Sequence, residues 1–399
     1  MIDWDALEAD NAPLNAFTNF DRSAQEKVLG GGDGWLAGLT IGVKANIAVK
    51  GLPWTGGSEV FRHRMATNDA EVVAKLRKAG AAIIGTLNME EAALGAKTDN
   101  PWFGATQNPH RLVYTPGGSS GGSGAAVAAG LCDAALGTDT MGSIRIPAAY
   151  CGIYGFKPAY AAVSQDGLEM TEPSLDTIGP LARSLDVLER MSRAISDFGE
   201  RLSSTSVATL SGLGGVECQP LVLVAYQSAK SALSADAEFT LPYPPCRIRF
   251  AGFIAASRFL AGHLANADPA KISPLLSKLI SYGPRRSVAD LAEDRRVIAE
   301  TKAALESAVE RYGAILLPTA PQAAFPHSED APANQADFTC LANIAGLPAI
   351  SIPAGWSDDG LPVGVQLIGK TGYEAGLFAL ARKLDSALAA YRRPANFGY

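Results

Sequence analysis

Residues 115–148 constrain this 399-residue chain more than any other stretch. They run T-P-G-G-S-S-G-G-S-G, then A-A-V-A-A-G-L-C-D-A-A-L, then G-T-D-T-M-G-S-I-R-I-P-A. The first segment sets Ser119, Ser120 and Ser123 among Gly117, Gly118, Gly121, Gly122 and Gly124, where the backbone can take positive φ and a ligand can approach it closely. A Gly/Ser linker would continue into polar sequence. Here residues 125–129 continue as helix, Gly130 reads as its C-cap, and residues 131–136 are apolar enough for a buried strand. A second loop of small residues, 137–143, leaves that strand and enters residues 144–149. Ser143 therefore stands where backbone N–H groups can face developing negative charge, the requirement of an acyl-transfer site.

A serine hydroxyl is a poor nucleophile until a base removes its proton. None of the four histidines, His63, His110, His263 and His327, stands in a context that suggests catalysis. A lysine can act as base if it is neutral, which asks for a depression of roughly 3 units from its ordinary pKa. Lys44 ends the apolar run L-A-G-L-T-I-G-V-K, whereas most other lysines lie in polar or helical surface contexts.

With these pieces the chain resembles the amidase signature family of Ser-Ser-Lys amidohydrolases. The matching segments are G-V-K-A-N around Lys44, P-G-G-S-S-G-G-S-G at 116–124 and G-T-D-T-M-G-S-I-R-I-P-A-A-Y-C-G at 137–152. G-F-K-P at 155–158, S-L-D-T-I-G-P-L-A-R at 174–183 and L-P-T-A-P at 317–321 follow in family order. A-G-L-P-A-I-S-I-P-A-G at 345–355 and G-L-P-V-G-V-Q-L-I-G at 360–369 complete the match. The resemblance implies Ser143 as acyl-forming nucleophile, Ser119 as a bridging serine after a cis peptide bond, and Lys44 as general base. It implies an oxyanion hole from the N–H groups of Thr140, Met141, Gly142 and Ser143, with Gly117, Gly118, Asp139 and Arg145 against the substrate. Arg145 has two readings, orienting a substrate carboxylate or pairing with a buried acid. Asp139 reads more simply as a brace for the loop than as a proton carrier. No cofactor and no metal are expected.

Two positions depart from the family pattern. Ala45 stands where an acidic residue usually follows the lysine, and losing that carboxylate lowers the lysine's pKa. Met141 stands where the family prefers Gly or Ala. It fits if its φ is negative, with its thioether in or beside the acyl pocket. Gly117 to Gly121 also match a G-x-S-x-G elbow, but no strand precedes them and no supported Asp and His follow.

The implied fold is α/β, one large amidase-signature domain with a mixed, twisted central β-sheet covered by helices on both faces. Its core signature region is expected at about 39–195, a trimmed variable region at about 199–290, and C-terminal core strands and helices at about 291–390. Residues 1–38 read as a polar approach with a glycine bend at Gly30, Gly31, Gly32 and Gly34. A strand over 39–48 carries Lys44 at or near its end, a helix capped by Asn68 or Asp69 runs to Lys78, and a short strand covers 81–84. Glu90 and Glu91 read as solvated helix charges, and Trp102 and Phe103 as lining the approach to the serines or anchoring their loop. Residues 202–215 are Ser/Gly-rich, 221–225 read as a strand, and 228–245 hold only a weak helical fragment. Helices are expected at 184–195, 295–312, 338–345 and 373–389, and strands at 314–318, 349–352 and 363–368.

A net charge of −6 without a long basic cluster disfavours nucleic acid and anionic membrane as partners. The five scattered cysteines read as buried thiols of a reducing compartment. The acidic N-terminus has no apolar signal core, and no apolar run approaches a membrane span, so a cytoplasmic protein is expected. The expected partners are a small-molecule amide substrate and, in a homodimer, a second copy of the chain. Three functions follow in order: an amidase for a small carboxamide, the glutaminase component of a tRNA-dependent amidotransferase, and a binding protein that has lost catalysis. Those glutaminase components carry an acidic residue for the glutamine amine seven positions before the Asn of N-x-A-G-L-P. Here that position is Ala336, with Asp337 one place off register.

Overall fold

The computed structural model describes residues 2–29, 34–201 and 206–397. The expected bend at Gly30, Gly31 and Gly32 lies outside the described residues, as does the start of the Ser/Gly-rich run. The chain opens with α1 (Trp4–Asn11), β1 (Phe17–Phe20), α2 (Ala24–Leu29), β2 (Thr40–Lys44), α3 (Glu71–Lys78) and β3 (Ala82–Leu87). A small ribbon of β4 (Asp99–Asn100) and β5 (Gly104–Ala105) precedes α4 (Gly121–Ala128), β6 (Ala134–Asp139), α5 (Arg145–Tyr150), β7 (Tyr154–Lys157), β8 (Thr177–Ala182) and α6 (Leu185–Ile195). Then come β9 (Val207–Leu210), α7 (Pro220–Leu233), β10 (Ala237–Phe239), α8 (Pro245–His263), α9 (Pro274–Ile280) and α10 (Val288–Tyr312). The chain closes with β11 (Ala314–Pro318), α11 (Cys340–Ala345), β12 (Ala349–Trp356), β13 (Pro362–Gly369) and α12 (Glu374–Leu388).

Eleven strands form one mixed sheet in the order β1-β3-β2-β6-β8-β7-β12-β13-β11-β9-β10. Successive side chains of a strand point to opposite faces, and the core divides accordingly. Ile83, Leu136, Leu316 and Ile350 enter one apolar cluster with α3, α6, α7 and α12. Ile84 and Ala135 meet α4 on the other face, where Ile315, Leu317 and Ala349 meet α8, α10 and α11. Both faces are thus covered by helices. Among the described residues no helix is long and apolar enough to cross a membrane.

Several local expectations need correction. The N-terminal segment is structured, and β1 pairs antiparallel with β3 at the sheet edge. Residues 221–225, L-V-L-V-A, read as a strand from their β-branched side chains but lie inside α7. Pro220 sits at its first position, and Val222, Ala225, Tyr226, Ala229 and Leu233 form its buried face. Residues 228–245, expected to hold only a weak helical fragment, carry the end of α7, β10 and the first residue of the 19-residue α8. Ala70, not Asn68 or Asp69, precedes α3; the Asp69 carboxylate instead accepts the Lys50 N–H and pairs with Arg77. Glu90 and Glu91 are buried, not solvated. Of the five free cysteines, Cys132, Cys151 and Cys340 are buried, Cys218 is half-buried and Cys246 is exposed.

Candidate active site

Strands β2 and β6 are parallel neighbours, Val43 opposite Leu136, so their carboxyl ends open at the same edge of the sheet. That edge is where open α/β sheets bind ligands. Lys44 closes β2, and β6 runs out into the loop that carries Ser143. Ser119 arrives from the loop before α4, and the Gly118–Ser119 peptide bond is cis, as the resemblance implies. Ser120 fastens this loop to β6. Its hydroxyl donates to the Thr138 carbonyl and accepts the Thr138 N–H, both at 3.2 Å, while its own N–H donates to the Ser143 carbonyl at 3.3 Å. Ser123 adds a bond to the Leu136 carbonyl at 3.0 Å.

Lys44 and Ser119 are both fully buried. Lys44 Nζ lies 2.7 Å from Ser119 Oγ and 2.7 Å from Thr138 Oγ1, and Thr138 Oγ1 also accepts from Asn46 Nδ2 at 3.2 Å. Burial lowers the lysine's pKa from 10.5 to about 7, against the opposing pull of Asp176, Asp139 and Glu90. A neutral amine has one lone pair. With Thr138 taking a hydrogen from Nζ, that lone pair is left for the Ser119 proton. The half-buried Ser143 hydroxyl has no hydrogen-bond partner among the described residues. Lys44 and Ser119 are therefore in direct contact, whereas Ser143 is joined to the serine loop through the Ser120 N–H and its hydroxyl is unbonded.

The 139–143 loop owes its shape to Asp139. Asp139 Oδ1 accepts the Gly142 N–H at 2.6 Å and Oδ2 the Ile144 N–H at 3.2 Å, and the Arg145 guanidinium grips both oxygens at 3.0 Å. Arg145 then donates to Asn343 Oδ1 and Gln366 Oε1, each at 2.7 Å, and Asn343 Nδ2 returns to Asp139 at 2.9 Å. Burial alone would raise the Asp139 carboxyl, but the charge and hydrogen bonds of Arg145 hold it below its ordinary range. Both residues are fully buried and their polar atoms are engaged. The structure thus corrects the assignment of Asp139 and Arg145 to the substrate: they form an internal ion pair, and Arg145 takes the second of its two readings. Gly142 no longer counts among the oxyanion donors for the same reason, since its N–H is held by Asp139. The N–H groups of Thr140, Met141 and Ser143 donate to nothing among the described residues.

Met141 takes no positive φ, which satisfies the condition for a side chain there; the positive φ, +132°, falls on Gly142. Thr339 Oγ1 donates to the Met141 carbonyl at 2.7 Å, and a Cβ on Gly252 of α8 would stand 3.2 Å from the thioether sulfur. Met141 thus packs toward α8, two residues before Ser143. Gly117 and Gly118 are buried in the serine loop, and the Gly117 carbonyl accepts from Thr98 Oγ1 at 2.8 Å. Trp102 and Phe103 act as anchors: the indole donates to Glu91 at 2.8 Å, and the Arg62 guanidinium lies 4.6 Å from the centre of the Phe103 ring. His110 and His327 bind the backbone carbonyls of Cys151 and Thr106, and His263 binds Glu169; none of these joins the serines.

Reasoning from sequence missed Thr138, Asp176 and Lys157. Thr138 lies within a quoted motif, but its role depends on β2 and β6 being neighbours. Asp176 accepts the Thr140 hydroxyl at 2.6 Å. Lys157 ends β7 fully buried, donates to the Pro158 carbonyl at 2.8 Å, and is lowered by burial and by Arg145 to about 7.

The family model described as Amidase matches residues 9–231 and 278–378. The chain belongs to the amidase family. Among its relatives is the A-subunit of the glutamyl-tRNA(Gln) amidotransferase of Synechococcus sp. (strain CC9605), 34% identical over 96% of this chain and 91% of the relative. The A-subunit from Halalkalibacterium halodurans is 36% identical over 89% of this chain and 84% of the relative. Among solved structures, the A-subunit from Thermotoga maritima superimposes with a TM-score of 0.82 at 28% identity, covering 98% of this chain and 93% of that one. A component of a vestigial protein complex bearing on the origins of an s-triazine catabolic enzyme gives a TM-score of 0.88 at 27% identity, over 98% and 96% of the two chains. The family is one of hydrolases acting on carbon–nitrogen bonds.

Proposed function

We propose that this chain releases ammonia from a primary carboxamide through an acyl-enzyme on Ser143. Lys44 takes the Ser119 proton, Ser119 takes the Ser143 proton, and Ser143 Oγ bonds to the amide carbon. The oxyanion formed is held by the N–H groups of Thr140, Met141 and Ser143. As the C–N bond breaks, the wire returns a proton to the departing nitrogen, and ammonia leaves. Water then adds to the ester carbon and frees the carboxylate and Ser143. The observation that carries this reading is the 2.7 Å contact between a buried Lys44, lowered to about 7, and Ser119. No histidine is needed.

Sequence alone ranks a stand-alone amidase for a small carboxamide above an amidotransferase glutaminase. The relatives reverse that order, since those at 34% and 36% identity carry the name of an amidotransferase component. Glutamine is accordingly the favoured amide. Arg249 Nε donates to Oδ1 of the buried Asp337 at 2.6 Å. Arg249 lies three residues before Gly252, the residue that meets Met141. Ammonia release should be assayed with glutamine, small primary amides, aryl amides and ureido acids, alone and with amidotransferase partner proteins, using Ser143→Ala and Lys44→Ala as controls. Turnover of glutamine that rises with partners supports the glutaminase. Turnover of a small amide without partners supports the stand-alone enzyme. No turnover of any amide, with Ser143 refusing a fluorophosphonate probe, would leave only a binding role.

A further inference from the structure

Asp176 is fully buried just ahead of β8, and the amidase chemistry set out above gives it no part. Its Oδ1 accepts the Thr140 hydroxyl at 2.6 Å, and its Oδ2 accepts the N–H groups of Thr171 at 2.7 Å and Glu172 at 3.1 Å. Its carbonyl accepts Gln165 Nε2 at 2.6 Å. Asp176 therefore ties Thr140 to the 165–172 segment, through its carboxylate at 171–172 and its carbonyl at Gln165. That segment in turn grips the end of β2, since Asn46 Nδ2 reaches the Glu169 carbonyl at 3.4 Å and the Glu169 N–H reaches the Asn46 carbonyl at 2.8 Å. Thr140 and Lys44 are thus held to one another through Asp176 and its loop.

The three carboxylates acting on Lys44 differ in their company. Asp139 is neutralised by Arg145, and Glu90 is held by the N–H groups of Lys97 and Thr98. Asp176, which also opposes the lowering of Lys44, is held by a hydroxyl and two backbone N–H groups, with no cation bonded to it among the described residues. We propose that Asp176 is a positioning residue: its carboxylate fixes Thr140 so that the loop N–H groups face the oxyanion, and through the 171–172 backbone it holds that turn against the end of β2 that carries Lys44. Burial raises its own carboxyl to about 6.

This inference rests on the Ser143 acyl-enzyme reading, and the test separates the two. The full chain is treated with a fluorophosphonate probe, and the rate of Ser143 labelling is followed from pH 5 to 9 alongside the melting temperature. Thr140→Val removes the hydrogen bond and keeps the charge: labelling should slow by about 10- to 100-fold, with the pH midpoint unmoved and Thr140→Ser restoring the rate. Asp176→Asn removes the charge, and its single acceptor oxygen cannot serve both Thr140 and the loop N–H groups. Its labelling should slow, and its midpoint should fall by about half a unit or more. Wild-type rates and midpoints in Thr140→Val and Asp176→Asn, with only the melting temperature lowered, would overturn the proposal. Equal labelling of Ser143→Ala and wild type would instead overturn the acyl-enzyme reading.

Discussion

Lys44 Nζ and Ser119 Oγ stand 2.7 Å apart with neither residue exposed to water. An amine in that position acts as a base only when uncharged, and at about 7 its titration falls in an observable range. kcat/KM for ammonia release should rise with pH through a midpoint near 7 and flatten above it. Lys44→Met should lose at least about 1,000-fold in kcat while still binding substrate. A flat profile from pH 5 to 9 would exclude Lys44 as the titrating base.

The same lysine opposes folding. Lys44 and Lys157 are both lowered from 10.5 to about 7 in the folded chain, so the unfolded chain binds more protons between pH 7 and 10.5. Their destabilising effect is complete below about pH 7 and fades as the pH rises toward 10.5. Lys157→Met should raise the melting temperature most at pH 6 to 7 and least near pH 10, with activity held within about threefold. Thermal scans of both chains across that range check the sign.

Breaking the Asp139–Arg145 pair is a different case, because one buried charge stays behind. Arg145→Leu should cost about 3 to 5 kcal/mol of stability. Urea titration measures this, and the loss should be largest near neutral pH, where Asp139 is ionised. A cost of well under 1 kcal/mol would mean that water reaches Asp139.

Gly142 combines a φ of +132° with a neighbour that leaves no room for a side chain: a Cβ there would come 2.2 Å from Thr339 Oγ1. Gly142→Ala should displace the loop that presents the Met141 and Ser143 N–H groups. We expect at least a 100-fold loss in kcat, in the range of removing an oxyanion donor, with circular dichroism unchanged. Near-normal turnover would show that this loop is not the oxyanion site.

The parts of this site that were legible in the sequence are those whose chemistry is local. Lys44 announced itself as a cation at the end of an apolar run, and the serines as hydroxyls in a glycine loop. The parts that were not legible depend on which strands become neighbours. Thr138 meets Lys44 only because β6 lies beside β2, and Arg145 is internal because Asn343 and Gln366 arrive from about 200 residues away. The short apolar runs of β11, β12 and β13 marked their positions correctly, since both faces of those strands are buried. Residues 221–225 misled because β-branched composition outweighs period in so short a window, and their helix becomes evident only with the Y-Q-S-A-K-S-A-L that follows.

Asn343 and Gln366 belong to the last sixty residues of the chain, yet they hold the guanidinium that shapes the 139–143 loop. A ribosome that has released everything through β8 has already made Lys44, Ser119 and Ser143, but not Asn343 and Gln366, which hold Arg145. The proposed reaction thus waits on the docking of α11 and β13, so a truncation that removes β13 should silence it from a distance.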